Sequence, residues 1–251
     1  MEEDKIPPVA DDQTNERSGE EIEKPVNEDQ WCFSYYAGKE HPDFNERAGL
    51  LKNTKWIPGD IISISFLDGE PELHARVKKV AEEWTKNLAN LIFEFRNDND
   101  TDIRISFLLP GSWSVLGTTC RSVEKNRPTM NFGWLKIDTP DAKLRRVVLH
   151  EFGHALGLIH EHMNPEGGIK WDKPKVIQEL SQPPNSWSEA VIENNMFKAF
   201  TLQELALTRM DKTSIMMYPI PARWTLDGFS TELNTEISET DKEFIKQQYP
   251  G

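Results

Sequence analysis

Four of the six histidines in this 251-residue chain fall within thirteen consecutive positions, in the run HEFGHALGLIHEH at 150–162. No other feature restricts the fold as much. His150 and His154 are four residues apart, so on a helix they project from one face about a turn from each other, the separation at which two imidazoles bind one Zn²⁺ at about 2.0–2.1 Å. Glu151 lies on the same turn, poorly placed to share the ligand geometry but within reach of a metal-bound water. The histidines bind, and the glutamate takes a proton. Gly157 falls where a helix can stop in a left-handed C-cap, and a turn there swings the following residues back toward the metal, offering His160 as third ligand. Three nitrogen ligands leave the fourth position of a tetrahedral ion open for water, as catalytic sites require. A chance H-E-x-x-H arises in roughly one chain of this composition per hundred, and requiring Gly157 and His160 at their offsets lowers that to about one in a hundred thousand.

The segment also reads as a helix on its own terms. Leu144, Val148, Phe152 and Ala155 recur on the side opposite the histidines, so one face packs on a sheet while the other looks into a cleft. Thr139-Pro140-Asp141 supplies an N-cap, a first helical position and an acidic second one. Upstream, DIISISFLDG at 60–69 alternates as a strand and ends at an Asp-Gly turn, and Pro71 then opens a helix with Leu73, Val77, Val80, Trp84 and Leu88 along one stripe. LIFEF at 91–95 and DIRISF at 102–107 are β-rich runs separated by the turn NDNDTD, and TMNFGWL at 129–135 is a further short strand. Beyond residue 163 the prolines and tryptophans allow only short helices, until the capping-box spacing of Ser238 and Asp241 opens a closing helix.

Composition narrows the class. Residues 1–30 carry eleven acidic and three basic side chains, net −8 of the −13 total, with no aromatic before Trp31, and read as a disordered acidic tail. Residues 31–54 form an N-terminal extension. The acidic balance argues against nucleic-acid binding. No apolar stretch is long enough to span a membrane. The start MEEDKIPPVADD has neither a basic nor an apolar signal region, and two cysteines, Cys32 and Cys120, make no disulfide framework, so a cytoplasmic location is expected over secretion with a removed leader. A monomer is assumed.

With these residues in hand, the chain resembles the metzincin clan of zinc endopeptidases, whose long motif H-E-x-x-H-x-x-G-x-x-H is complete from His150 to His160. Ser214-Ile215-Met216-Met217-Tyr218 is similar to the clan's Met-turn, with Met216 matching the methionine that packs beneath the zinc. Tyr218 matches the tyrosine that the astacin and serralysin branches use as an additional zinc ligand, one that swings away when substrate binds and can steady the oxyanion. Glu161, directly after the third histidine, is astacin-like. Two departures stand out: His162-Met163-Asn164-Pro165 lacks the arginine of the longer astacin signature, and the cysteines do not match the astacin disulfides.

The resemblance implies an α+β, zincin-like fold over 55–251: a twisted, mainly parallel five-stranded sheet with an active-site helix in an upper part, 55–160, and a smaller irregular C-terminal part, 161–251, with a terminal helix. It implies one catalytic zinc on His150, His154 and His160, endopeptidase chemistry with Glu151 as general base and Tyr218 assisting, and a peptide extended along an edge strand, either SWSVLGT or TMNFGWL. An alternative is a zinc-containing module that binds peptides without cleaving them. A second is a zincin of the other clan, with Glu179 as third ligand in place of His160. His162 is read as a loop residue, His41 and His74 as solvated, Cys32 as a free thiol because nothing around it resembles the matrixin switch, and the tryptophans as core or cleft lining.

Overall fold

The computed structural model describes residues 32–35, 50–51, 54–164, 167–183, 185–198, 205–206 and 210–251, with the short strands at 32–35, 50–51 and 205–206 described as backbone only. The acidic stretch 1–30, His41 and the Cys32 side chain lie outside the described residues. In chain order the elements are β1 (Cys32–Tyr35), β2 (Leu50–Leu51), β3 (Ile61–Phe66), α1 (Pro71–Ala81), β4 (Ile92–Phe95), β5 (Ile103–Ser106), β6 (Ser112–Val115), β7 (Met130–Phe132) and α2 (Asp141–Ala155). There follow α3 (Lys173–Leu180), α4 (Glu189–Ile192) with a π-turn at Glu193–Phe197, β8 (Leu205–Ala206) and α5 (Glu239–Gln248).

The alternating run at 61–66 buries Ile62 and Ile64 on the strand between β5 and β4 in a sheet of order β1-β6-β7-β5-β3-β4. Every neighbouring pair is parallel except β6 with β7. Strands β3 to β7 are the expected five. The sixth, β1, comes from the N-terminal extension and runs parallel along the outer side of β6. Because β7 is enclosed between β6 and β5, the outer of the two segments considered above is SWSVLGT. Strands β2 and β8 form a separate antiparallel pair.

Helix α1 opens at Pro71, where the missing N–H costs nothing, and buries Leu73, Val77 and Val80. Its stripe outlasts the helix, since a 3₁₀ turn at Glu82–Trp84 carries Trp84 into the core. Helix α2 begins at Asp141 with Pro140 as N-cap, one residue later than the Thr139 cap expected. The Arg76 guanidinium accounts for the shift: it holds the Ile137 and Thr139 carbonyls and the Asp141 carboxylate, while the Thr139 hydroxyl accepts from the Lys136 amide.

The apolar side chains fall into two clusters. The larger surrounds the sheet, α1 and α2 and includes Ile215, Met216, Ile245 and Tyr249. The smaller joins Val176, Leu180, Ile192 and Met196 to Met217, Tyr218, Ile220 and Trp224. Among the described residues no helix is long and apolar enough to cross a membrane.

Candidate active site

Beyond its exposed first turn, helix α2 is covered on both sides: every residue from Arg146 to Ala155 is buried, including the side that carries the histidines. The helix stops at Gly157, whose φ of 93° only glycine adopts cheaply. Its amide donates to the His154 carbonyl at 2.8 Å and the Leu158 amide to the Gly153 carbonyl at 2.9 Å, the paired bonds of a Schellman cap. The remaining end carbonyls are also used, Ala155 by Trp56 Nε1 at 2.8 Å and Leu156 by the Tyr249 hydroxyl at 2.6 Å. After the turn, the Leu158 carbonyl accepts from His154 Nδ1 at 2.8 Å, and His160 is delivered against His154.

The ligand atoms of His150, His154 and His160 all lie within 4.8 Å of one another. Relative exposures are 4, 0 and 1 % for the three, and 0 % for Glu151. His150 donates from Nδ1 to the Ile215 carbonyl at 2.7 Å, as His154 does to Leu158. Each ring therefore keeps its proton on Nδ1 and presents a bare Nε2, the tautomer that ligates metals. His154 Nε2 and His160 Nε2 are 3.1 Å apart, close to the separation of about 3.3 Å between two nitrogens on one tetrahedral Zn²⁺. Burial lowers the pKa of all three, to about 4 for His154, and the neighbouring imidazoles add to the effect at His150 and His160. Neutral rings are the form that binds a cation, so the donor set fits zinc.

The Met-turn holds this arrangement from below. Met216 is buried under α2, and its sulfur occupies the place of a Cβ on Gly153, which would stand 2.4 Å from it. The turn's successive carbonyls serve the site: that of Ile215 orients His150, and that of Met216 accepts from the Glu161 amide at 3.0 Å. Asp241 of α5 fixes the turn, accepting from Ser214 Oγ at 2.7 Å and from the Ile215 amide at 2.8 Å while completing the capping box with Ser238. Neither Gly153 nor Asp241 stands out as a site residue in the sequence. A glycine inside a helix, at a cost near 1 kcal/mol, is the one signal that a close contact was present.

Tyr218 is fully buried with its ring centroid 4.3 Å from that of His160 and 6.4 Å from that of His150. Glu161 accepts from the Asp211 amide, and burial pushes its carboxyl up to about 8. Glu179 lies outside the histidine group: its carboxylate takes hydrogen bonds from Arg223 and Trp224, and the group among the described residues that could hold an ion contains His160 instead. His162, read as a loop residue rather than a ligand, lies in the 3₁₀ turn Glu161–Met163, is buried beside Tyr218, and is not part of the three-histidine group. His74 is half-buried, stacked on Phe66 at 4.0 Å. Cys120 is a buried thiol whose pKa burial raises to about 12, far from a thiolate.

No protein-family model matches the chain, and no curated protein does. Solved structures do. A structure of myroilysin is 41% identical, covers 80% of this chain and 98% of that one, and superposes with a TM-score of 0.78. A crystal structure of myroilysin is 37% identical, covers 94% and 98%, and has a TM-score of 0.64. High choriolytic enzyme 1, a hatching enzyme zinc-protease from the medaka fish Oryzias latipes, is 16% identical over 78% and 94% with a TM-score of 0.51, a likeness of fold. With the complete histidine motif, the buried imidazole triad and a relative 41% identical along nearly its whole length, the chain belongs to the astacin family of metzincin zinc endopeptidases.

Proposed function

We propose that His150, His154 and His160 hold a single catalytic zinc ion and that Glu151 is the general base of peptide-bond hydrolysis. The observation that carries the reading is the convergence of three buried, neutral imidazoles, two of them with Nδ1 committed to backbone carbonyls. The ion, when bound, polarises the scissile carbonyl and acidifies a water. Glu151 accepts the proton from that water and returns it to the leaving amine, so no covalent intermediate is needed. Tyr218 supplies a phenol beside the third ligand, able to ligate in the resting state and to donate to the oxyanion during reaction. Met216 packs and does not ligate. The substrate is a protein segment bound extended, with the outer edge of β6 as its main-chain partner. That edge carries β1 in this structure, so a peptide seated there takes the place of Cys32–Tyr35.

The alternative, a zinc-containing peptide-binding module without hydrolysis, differs in one measurement. Cleavage of a quenched peptide, abolished by a chelator and restored by zinc, is expected for the enzyme. Glu151→Gln is expected to keep one zinc per chain and to lower kcat by about 10²–10⁴-fold. Near-full activity in that variant removes Glu151 from the mechanism.

A further inference from the structure

We propose that His162 is a positioning residue for Tyr218, the wall against which the tyrosine ring is held. The inference rests on the reading of Tyr218 as the assisting phenol. His162 lies two residues past the third ligand and is buried, 4 % exposed. Its ring lies nearly parallel to that of Tyr218, with centroids 4.6 Å apart and planes 24° apart. His160 meets the same tyrosine at 4.3 Å, and the His160 and His162 rings are 5.4 Å apart, so the phenol is packed against both imidazoles at once.

His162 is itself fixed from behind. Its Nε2 donates to the Asn195 carbonyl at 2.7 Å, and Trp171 meets it edge-on at 6.1 Å. Asn195 lies in the π-turn Glu193–Phe197, where the backbone departs from the α-helical ladder and leaves this carbonyl to the imidazole. The opposite nitrogen, Nδ1, is buried and has no hydrogen-bond partner among the described residues. Most buried polar atoms are paired, so an orphan nitrogen beside a reactive centre calls for a reason beyond packing. An aliphatic side chain fills space without presenting a flat face, and phenylalanine presents the face without the anchor to Asn195. Imidazole gives both, which holds the Tyr218 ring against a fixed plane and opposes its tilt away from His160.

The experiment is a double-mutant cycle on the zinc-loaded full chain, comprising Tyr218→Phe, His162→Ala, His162→Phe and the Tyr218→Phe/His162→Ala pair. It reads kcat and KM on a quenched peptide, zinc per chain by elemental analysis, and calorimetric affinity for a phosphinic peptide that mimics the tetrahedral oxyanion. Tyr218→Phe is expected to lower kcat about 10²-fold. His162→Ala is expected to lower kcat about 10-fold with KM within about 2-fold and zinc unchanged, and to cost less than about 2-fold once Tyr218 is already phenylalanine. Phosphinate affinity is expected to fall by the same factor as kcat/KM. His162→Phe, which keeps the ring volume should the alanine variant fold poorly, is expected to fall between wild type and His162→Ala. Equal cost of His162→Ala in both tyrosine and phenylalanine backgrounds, or loss of zinc from that variant, overturns the inference alone. Full kcat in Tyr218→Phe removes the reading of Tyr218 and the inference with it.

Discussion

The seam between the two apolar clusters runs through the Met-turn: Ile215 and Met216 belong to the large cluster around the sheet, Met217 and Tyr218 to the small one beneath α3 and the π-turn. On the sheet side, the body of α2 is seated mainly by packing. Trp84 beside α2 and Phe152 on it are fully buried, and His150 and His154 stand on that helix. Below the seam, position is set by polar ties. Thr231 Oγ1 donates to the Tyr218 carbonyl at 2.5 Å, His162 donates to Asn195, and the Glu179 carboxylate gathers Arg223 and Trp224. The helix that carries the histidines is seated against a wall of carbon, whereas the Tyr218 phenol is held by directional bonds and a stacking surface.

Three substitutions test that contrast, beginning with the largest effect. His160→Ala is expected to weaken zinc binding more than about 100-fold, beyond the loss of an outer partner such as the Ile215 carbonyl. Competition against a chromophoric chelator measures it, and retention of stoichiometric zinc breaks the assignment of the third ligand to the residue beyond the turn.

Gly153→Ala probes the packed side. The new methyl meets the Met216 sulfur at 2.4 Å and Trp84 at 3.4 Å, so overpacking of about 1–3 kcal/mol outweighs a helix-propensity gain of about 1 kcal/mol. In a Met216→Ala background the sign is expected to reverse, to a gain of about 1 kcal/mol in urea unfolding. Destabilisation in both backgrounds means the sulfur is not the obstacle.

Glu179→Gln probes the polar side and has the smallest effect. Burial works against the Glu179 carboxylate, but hydrogen bonds from Arg223 and Trp224 and the guanidinium charge outweigh it and hold the pKa below the ordinary 4.5. A depressed folded-state pKa contributes stability that is present above the unfolded value and is lost as pH falls through the folded one. The variant is therefore expected to flatten the acid limb of the stability profile below about pH 4.5, read by thermal melts at stepped pH. An unchanged acid limb shows that the tie contributes nothing.

Local pattern made a good part of this molecule legible in the sequence. The histidine spacing, the Gly157 stop and the Ser238/Asp241 cap are each a few residues long, and each is found where its chemistry placed it. Periodicity says which face of a helix is apolar but not what covers the other, so α2 read as half-open although both sides are covered. His162 read as a loop residue because its partners, Tyr218 and Asn195, are remote in sequence. The same holds for Asp241, legible as a cap for its own helix and illegible as a support for the Met-turn. The strand added by Cys32–Tyr35 carries no sequence signal beyond a short β-prone run.

That double duty of Asp241 bears on the order in which the protein is made. His150 is aimed by Ile215, and Ile215 is held by an aspartate translated after both. Contacts so distant along the chain close only once their last member has left the ribosome, and loop-closure entropy delays them further. Sheet and helix can be laid down first during synthesis, while the support beneath the first histidine waits for a segment that follows both in the chain.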